Sequence, residues 1–185
     1  MSFDKNKGRN MQTIILGGGC FWCTESVFQS VKGVQKVTSG YMGGEDAALA
    51  NYKDVCSGTT GHIEVVRVDF DDSIVPLEVI LDIFFATHDP TTRDRQGNDV
   101  GSQYRSVVFY TDEETQKPTI DRTINKLHDM GLDIVTEVHP VHEFHVAEDY
   151  HQDYFNKNPT QGYCQAVIPP KLSKLRKEFK QYLQQ

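Results

Sequence analysis

The residue best suited to chemistry is a cysteine between a run of glycines and a predicted helix. Gly17, Gly18 and Gly19 precede Cys20, and Phe21 opens a stretch with helical apolar spacing. Glycines permit a tight turn with open backbone N–H groups, and a helix N-terminus favours negative charge. We therefore expect a nucleophilic Cys20 whose thiol pKa lies below the ordinary value of about 8.5. The alternative is a buried structural cysteine beside a glycine turn.

A second cysteine follows at the spacing of a C-x-x-C pair. Cys20 and Cys23 share this spacing with thioredoxin-like redox motifs and with zinc sites. A structural zinc site needs four ligands, usually in two close pairs, and Cys56 and Cys164 are isolated from each other. The two aromatic residues between the thiols favour the wall of a small hydrophobic pocket beside a nucleophile.

A candidate proton donor lies in the strand predicted over residues 62–70. Period-two alternation places Glu64 on the same face as Val66, Val68 and Phe70. A carboxyl group on this apolar face loses hydration, which raises its pKa toward neutrality and suits it to general acid catalysis. The alternative is a strand-end glutamate that reaches solvent.

The elements that must position these side chains begin in the order strand, helix, strand, strand, helix, strand. The predicted strands cover residues 14–16, 34–41, 62–70, 105–110 and 133–138. The first predicted helix covers residues 21–31, and the second begins near Pro76. A third follows residue 111, where Pro118 should kink it or delay its start, and the last covers residues 172–183, after Pro169 and Pro170. The first six elements match the split β-α-β arrangement of ferredoxin-like sandwiches. Residues 42–61 and 88–103 are predicted to be long functional loops.

We therefore predict one α+β catalytic domain over residues 1–185. Residues 1–12 form a polar N-terminal tail, and residues 142–185 form a C-terminal extension. Both boundaries are expectations from composition and pattern.

Composition argues against several other classes of protein. The chain carries 19 Lys and Arg against 26 Asp and Glu, a formal net charge of -7, so nucleic-acid binding through clustered cations is not expected. Apolar runs fall far short of the roughly 20 residues of a membrane span, and the N-terminus lacks a signal-peptide pattern. We expect a cytoplasmic protein with reduced thiols. His139, His142, His145 and His151 lack zinc-motif order, so no metal site is expected.

Six motifs resemble, in the same order, the signature of the peptide methionine sulfoxide reductase A family. They are Gly19-Cys20-Phe21-Trp22-x-x-Glu25, Ser39-Gly40-Tyr41-x-Gly43-Gly44, Thr60-Gly61-His62-x-Glu64-Val65-Val66, His88-Asp89-Pro90, the stretch from Gln96 to Ser106, and the stretch from Ala147 to Tyr154. The similarity runs from about Ile14 to beyond Cys164. It implies a thiol enzyme with no bound cofactor that reduces the S epimer of methionine sulfoxide, free or in proteins.

The resemblance also implies roles for individual side chains. Cys20 would attack the sulfoxide sulfur, while Phe21 and Trp22 would hold the methyl group of the substrate. The other implied site residues are Glu64 with Tyr41 and Tyr104, which would hydrogen-bond and protonate the sulfoxide oxygen, and Asp99, His151 and Tyr154, which match positions lining the pocket.

Turnover would require a second thiol. The resemblance implies that a sulfenic acid on Cys20 condenses to a disulfide, which thioredoxin, or dithiothreitol in vitro, then reduces. Cys164 resembles the C-terminal resolving cysteine of the family, but many members carry glycine where this chain has Cys23, so both thiols are candidates. Cys56 is assigned a structural role, with a disulfide relay as the alternative. A C-x-x-C thiol–disulfide oxidoreductase and a zinc-binding interaction module are the alternative functions.

Overall fold

A six-stranded mixed sheet is the centre of the computed structural model, which describes residues 10–185. The strands of this sheet are β1 (Met11–Gly17), β2 (Val34–Met42), β3 (Ile63–Asp71), β6 (Val107–Tyr110), β7 (Glu137–Pro140) and β8 (His145–Val146), and a separate ribbon contains β4 (Arg95–Gln96) and β5 (Asp99–Val100). The helices are α1 (Phe21–Gln29), α2 (Tyr52–Val55), α3 (Leu77–Thr87), α4 (Glu113–Asp129), α5 (Tyr154–Lys157) and α6 (Gly162–Glu178).

The strand order is β7-β6-β1-β3-β2-β8, and only the β6–β7 pair is parallel. Helix α1 connects β1 to β2, and α3 connects β3 to β6. In the sheet, β3 lies between β1 and β2, the two strands that α1 joins. This is the split β-α-β arrangement, and the predicted ferredoxin-like α+β fold is confirmed. The later strands extend it, with β7 on the β6 edge and β8 on the β2 edge.

The alternation along β3 separates two apolar clusters. On one face, Val66, Val68 and Phe70 pack with residues of α1, α3, α4 and α6. Ile63 and Val65 on the other face pack with Phe144 from the segment before β8. Glu64 faces the helical side, as the pattern predicts, because successive side chains of a strand point to opposite faces.

The C-terminal helix begins ten residues earlier than its pattern indicates. We predicted a start at residue 172, which is wrong: α6 begins at Gly162 and passes through Pro169 and Pro170. The side chain of Gln161 caps it by accepting the N–H of Cys164 at 2.8 Å. Burial of Cys164 and Ile168 on one face of this turn offsets the backbone bonds that the prolines cannot make.

Pro118 likewise does not delay α4. The helix starts at Glu113, where Asp112 accepts the N–H of Thr115 at 3.2 Å. Pro118 leaves the carbonyl of Glu114 without its helical donor, and both residues are exposed, so water can satisfy that carbonyl.

The predicted polar tail falls mostly on residues 1–9, which lie outside the described residues. Its last two residues, Met11 and Gln12, pair with Asp71 and Phe70 as the start of β1. The last predicted strand begins at residue 137 instead of residue 133. Between residues 10 and 185, no helix has both the length and the apolar character that crossing a bilayer requires.

Candidate active site

A cavity of about 220 Å³ opens at the N-terminus of α1. Its lining residues are Cys20, Trp22, Tyr52, Glu64, Asp99, Tyr104, Gln161 and Tyr163. Five of these were expected from the sequence, and Tyr52, Gln161 and Tyr163 were not. A larger and more open groove of about 710 Å³ lies along α4, but its lining contains neither a thiol nor a buried carboxyl group. The smaller cavity is therefore the candidate active site.

The glycine turn places Cys20 at the N-cap of α1. Gly19 has φ +93°, and a Cβ there would lie 2.6 Å from the side chain of Gln96, so this turn requires glycine. The carbonyl of Cys20 accepts the N–H of Cys23 at 3.1 Å, which begins the helix. The thiol is consequently fixed at the helix start with only 9% of the residue exposed.

The expected lowering of the Cys20 pKa is wrong. Burial raises the pKa of this thiol well above its ordinary value, and a hydrogen bond to Cys23 and the nearby charge of Glu64 raise it further. The backbone N–H of Trp22 acts in the opposite direction but does not outweigh desolvation. At neutral pH, Cys20 therefore keeps its proton.

The pKa of Cys23 moves in the opposite direction to that of Cys20. The hydrogen bond that Cys20 donates is the largest cause lowering the pKa of Cys23, and burial works against it. The positive charge of Lys171 lowers this pKa further. The surroundings of the C-x-x-C pair therefore favour the thiolate of Cys23 over that of Cys20.

Glu64 lies at the floor of the cavity and is 2% exposed. One of its carboxyl oxygens accepts the N–H of Phe21 at 3.1 Å. Burial raises the pKa of Glu64 to about 8, against the opposing effect of the Phe21 N–H. At neutral pH this carboxyl group is mostly protonated, and it can donate a proton to a group bound in the cavity.

Two aromatic residues follow Cys20, and only one of them faces the cavity. Trp22 lines it, stacks on Tyr154 with ring centroids 3.8 Å apart, and donates from Nε1 to Nδ1 of His151 at 3.0 Å. Phe21 is buried behind the wall, against Tyr41 at 5.6 Å and His151 at 5.0 Å between ring centroids. His151 and Tyr154 therefore orient Trp22 instead of lining the cavity.

The tyrosine hydroxyls divide between the cavity and its support. Tyr41 pairs with Glu64 across β2 and β3, but its hydroxyl donates to Glu148 at 2.9 Å and does not face the cavity. Tyr104 and Tyr52 line the cavity. Burial raises the pKa of both phenols, so they remain hydrogen-bond donors across the physiological pH range.

The C-terminal segment closes one side of the cavity. The hydroxyl of Tyr163 donates to a carboxylate oxygen of Asp99, which joins the first turn of α6 to the β4–β5 ribbon. Tyr163 carried no predicted role, although it lies next to Cys164 in the sequence. A helix predicted to start at Gly162 would have placed Tyr163 in its first turn, but the sequence pattern indicated a start at residue 172.

A buried acid connects α1 to the segment behind Trp22. The carboxylate of Glu25 accepts the N–H of Asp153 at 2.8 Å and the N–H of Tyr154 at 3.3 Å. Burial raises the pKa of Glu25 to about 7, and the two N–H groups partly oppose this. Glu25 is the last residue of the first sequence motif, which singled it out but did not indicate what it does.

Three of the four cysteines lie together. Cys20, Cys23 and Cys164 pack in one cluster with Ile168, and all are buried. Burial and, to a smaller extent, the nearby charge of Cys23 together raise the pKa of Cys164 to about 11. Cys56 is exposed and lies apart from this cluster, behind Tyr52. All four cysteines are free thiols.

A buried thiol and a protonated carboxyl group on one cavity of a ferredoxin-like core are the groups that a thiol-dependent enzyme would need. Within residues 10–185, no three His, Cys, Asp or Glu side chains are arranged to hold a metal ion.

Comparison with known proteins defines the class further. The sequence profile described as "Peptide methionine sulfoxide reductase" matches residues 12–183. A peptide methionine sulfoxide reductase MsrA of Psychrobacter sp. strain PRwf-1 is 96% identical over 173 residues, covering 94% of this chain and 99% of the relative. An MsrA of Acinetobacter baumannii strain AYE is 57% identical over 169 residues, covering 91% and 96%. The reduced form of Mxr1 from Saccharomyces cerevisiae has a TM-score of 0.79 at 32% identity, covering 89% and 93%.

The chain belongs to the peptide methionine sulfoxide reductase family. It is an oxidoreductase that reduces methionine sulfoxide.

Proposed function

We propose that this enzyme reduces the S epimer of methionine sulfoxide, free or in proteins, through a sulfenic acid on Cys20 and an intramolecular disulfide. The observation that carries the proposal is that the Cys20 thiol and the protonated Glu64 carboxyl group line the same cavity. The proposal treats the core and residues 142–185 as one catalytic domain, since both contribute side chains to the cavity wall.

In the first step, the sulfur of Cys20 attacks the sulfoxide sulfur, and Glu64 donates its proton to the sulfoxide oxygen. The oxygen passes to Cys20 as the S–O bond of the substrate breaks, and methionine leaves. The thiol proton of Cys20 replaces the one that Glu64 gave away. The substrate sulfur is reduced by two electrons, and the cysteine sulfur is oxidised by two.

The aromatic wall would select the substrate. The indole of Trp22 offers an apolar face for the S-methyl group, and Tyr154 and His151 fix its orientation. Tyr104 supplies a hydroxyl donor for the sulfoxide oxygen. An S-methyl group on the indole and an oxygen near Glu64 would fix the configuration at sulfur.

In the second step, a resolving thiol attacks the sulfenic acid, a disulfide forms, and water leaves. Cys23 and Cys164 both pack against Cys20 and are the candidates. Thioredoxin would reduce the disulfide, and dithiothreitol would replace it in vitro. Mxr1, which has the same fold, has been solved in complex with Trx2. A cytoplasmic location would supply such a reductant.

The test is a single turnover without reductant, using each epimer of methionine sulfoxide separately. We expect about one methionine per enzyme from the S epimer and none from the R epimer. In a second arm, the sulfenic acid is trapped with dimedone in the variant that lacks both Cys23 and Cys164, and mass spectrometry should place the adduct on Cys20.

Cys20→Ser should release no methionine, and Cys56→Ser is the matched control that should behave as the unaltered enzyme. Methionine release by Cys20→Ser would overturn the assignment. Reduction of a protein disulfide such as that of insulin, without reduction of the sulfoxide, would favour a C-x-x-C thiol–disulfide oxidoreductase instead.

A further inference from the structure

A second, narrow cleft adjoins α1 and holds a lysine that the proposed sulfoxide step does not use. Its lining residues are Cys23, Thr24, Val27, Phe84, Thr87, His88 and Lys171. Cys23 lies in this cleft, whereas Cys20 faces the substrate cavity. The start of α1 thus presents one thiol to each space.

Lys171 is fixed beside this thiol. Its ammonium group donates to the carbonyl of Thr87, the last residue of α3, at 2.5 Å. Burial lowers the pKa of Lys171, and the nearby Cys23 thiol raises it again. A partly desolvated ammonium group held near a thiol stabilises the thiolate form.

The other titratable groups near the two residues are Cys20, Glu64, His88, Asp99, Tyr163, Cys164 and Lys174. Burial lowers the pKa of His88 to about 4, so this histidine is neutral at physiological pH. Asp99 is hydrogen-bonded to Tyr163. Lys174 is exposed and one turn further along α6. Lys171 is therefore the half-buried cation that shares the cleft with Cys23.

The backbone already brings Cys23 within range of Cys20. The 3.1 Å hydrogen bond from the Cys23 N–H to the Cys20 carbonyl closes a turn, which places the two Cα atoms within about 7 Å. Disulfides span Cα distances up to about that value. Cys164 is the competing thiol, and its pKa near 11 leaves it almost entirely protonated at neutral pH.

We propose that Lys171 holds Cys23 as a thiolate, so that Cys23, and not Cys164, is the first thiol to attack the Cys20 sulfenic acid. This inference rests on the proposed function. The sulfur of Cys23 bonds to the sulfur of Cys20, and the S–O bond of the sulfenic acid breaks. The departing hydroxide takes the Glu64 proton and leaves as water. Cys23 is oxidised and the Cys20 sulfur is reduced to the disulfide level. Lys171 keeps its proton and is a positioning residue.

The first experiment uses the unaltered enzyme. One equivalent of methionine S-sulfoxide is added without reductant, the reaction is quenched with an alkylating agent at increasing times, and disulfides are identified by mass spectrometry. We expect a Cys20–Cys23 disulfide before any species that contains Cys164. A Cys20–Cys164 disulfide appearing first would overturn the inference.

The second experiment follows disulfide formation against pH in Lys171→Met, Lys171→Arg and Lys174→Met. Loss of the Lys171 charge should slow resolution roughly tenfold at pH 7 and move the pH midpoint upward, with the rate recovering in alkali. Lys171→Arg should retain the profile. Lys174→Met removes an equal charge from the exposed side of α6 and should change little. A role limited to capping α3 would lower stability without moving the midpoint, and an unmoved midpoint would overturn the inference.

Methionine release in the same quenched samples separates a failure of the proposed function from a failure of the inference about Cys23 and Lys171. If methionine is not released by the unaltered enzyme, the proposed function fails. If one methionine is released per enzyme but the order of disulfides or the Lys171 effect is absent, the inference alone fails.

Discussion

The ferredoxin-like core and the C-terminal segment of residues 142–185 contribute different kinds of groups to the same cavity. The core supplies the pair that would meet the substrate, with Cys20 at the start of α1 and Glu64 on β3. The C-terminal segment supplies Gln161 and Tyr163 to the wall of that cavity. Outside this lining it supplies the third buried thiol, Cys164, and the half-buried cation Lys171. Groups that need exact placement lie on packed elements of the sheet layer, where rotamers and backbone are held best. Groups concerned with recovery of the active thiol are divided, since Cys23 lies on α1 and Cys164 and Lys171 lie on the added segment.

The sharpest test of this division is Glu64→Gln. The variant should lower the single-turnover rate by about 10²-fold or more at pH 7, because a general acid contributes in that range. In the unaltered enzyme, the rate should fall as pH rises through about 8, where Glu64 loses its proton, and the variant should lack this fall. Rapid-quench methionine release measures both, and equal rates would remove the acid role from the core.

Protein stability offers an independent check on Glu64. Its pKa is raised in the folded protein from an ordinary 4.5 to about 8. The unfolded chain therefore loses this proton first, and the free energy of unfolding should fall as pH rises from about 4.5 to about 8. Urea titrations of Glu64→Gln should show a smaller fall across this window.

Cys164→Ser tests the C-terminal side of the comparison. Methionine release in a single turnover should be unchanged, since the reacting pair lies in the core. Cycling driven by thioredoxin should fall at least roughly tenfold, because the remaining disulfide would join two buried thiols of α1. Steady-state assays with thioredoxin and its reductase measure the rate of cycling. Undiminished cycling would mean that the reductant reaches the α1 disulfide directly.

Glu25→Gln should loosen the connection between the two regions. The amide cannot accept both N–H groups that the carboxylate accepts, and one unmatched buried donor costs roughly 1–3 kcal/mol of unfolding free energy. Tyr154 would be held less firmly behind Trp22, so KM for the sulfoxide should rise more than kcat falls. Urea denaturation and initial rates test this, and Glu113→Gln, on an exposed glutamate, is the control.

Cys56→Ser should have the smallest effect. Cys56 is exposed and accepts a hydrogen bond from the Tyr52 hydroxyl, which a serine can also accept. We expect changes in rate and in cycling below about twofold, as for most surface substitutions. A large loss of thioredoxin-driven cycling would instead assign Cys56 to the relay of disulfides.

The core could be predicted because its signals are local. Alternation along β3 places Glu64 among apolar side chains, and burial then raises its pKa in the expected direction. The glycines before Cys20 indicate a turn, and Gly19 has the positive φ that such a turn needs.

The C-terminal segment resisted prediction because its geometry depends on contacts that are distant in sequence. Two prolines in α6 obscured a helix that the burial of Cys164 and Ile168 stabilises. The pKa of Cys20 was misjudged for a related reason, since the sequence shows a helix N-terminus but not how deeply the thiol is buried. The hydrogen bond from the Tyr41 hydroxyl to Glu148, which is 107 residues away in the sequence, likewise has no local signal.

The wall formed by Trp22 has a practical consequence. The chain contains one tryptophan, so the tryptophan emission of the protein comes from the wall of the substrate cavity. Stacking on Tyr154 and the hydrogen bond to His151 set the surroundings of that fluorophore. Substrate entry, formation of a disulfide next to the indole, and reopening by a reductant should each change its intensity or wavelength, so the catalytic cycle can be followed in real time without a label.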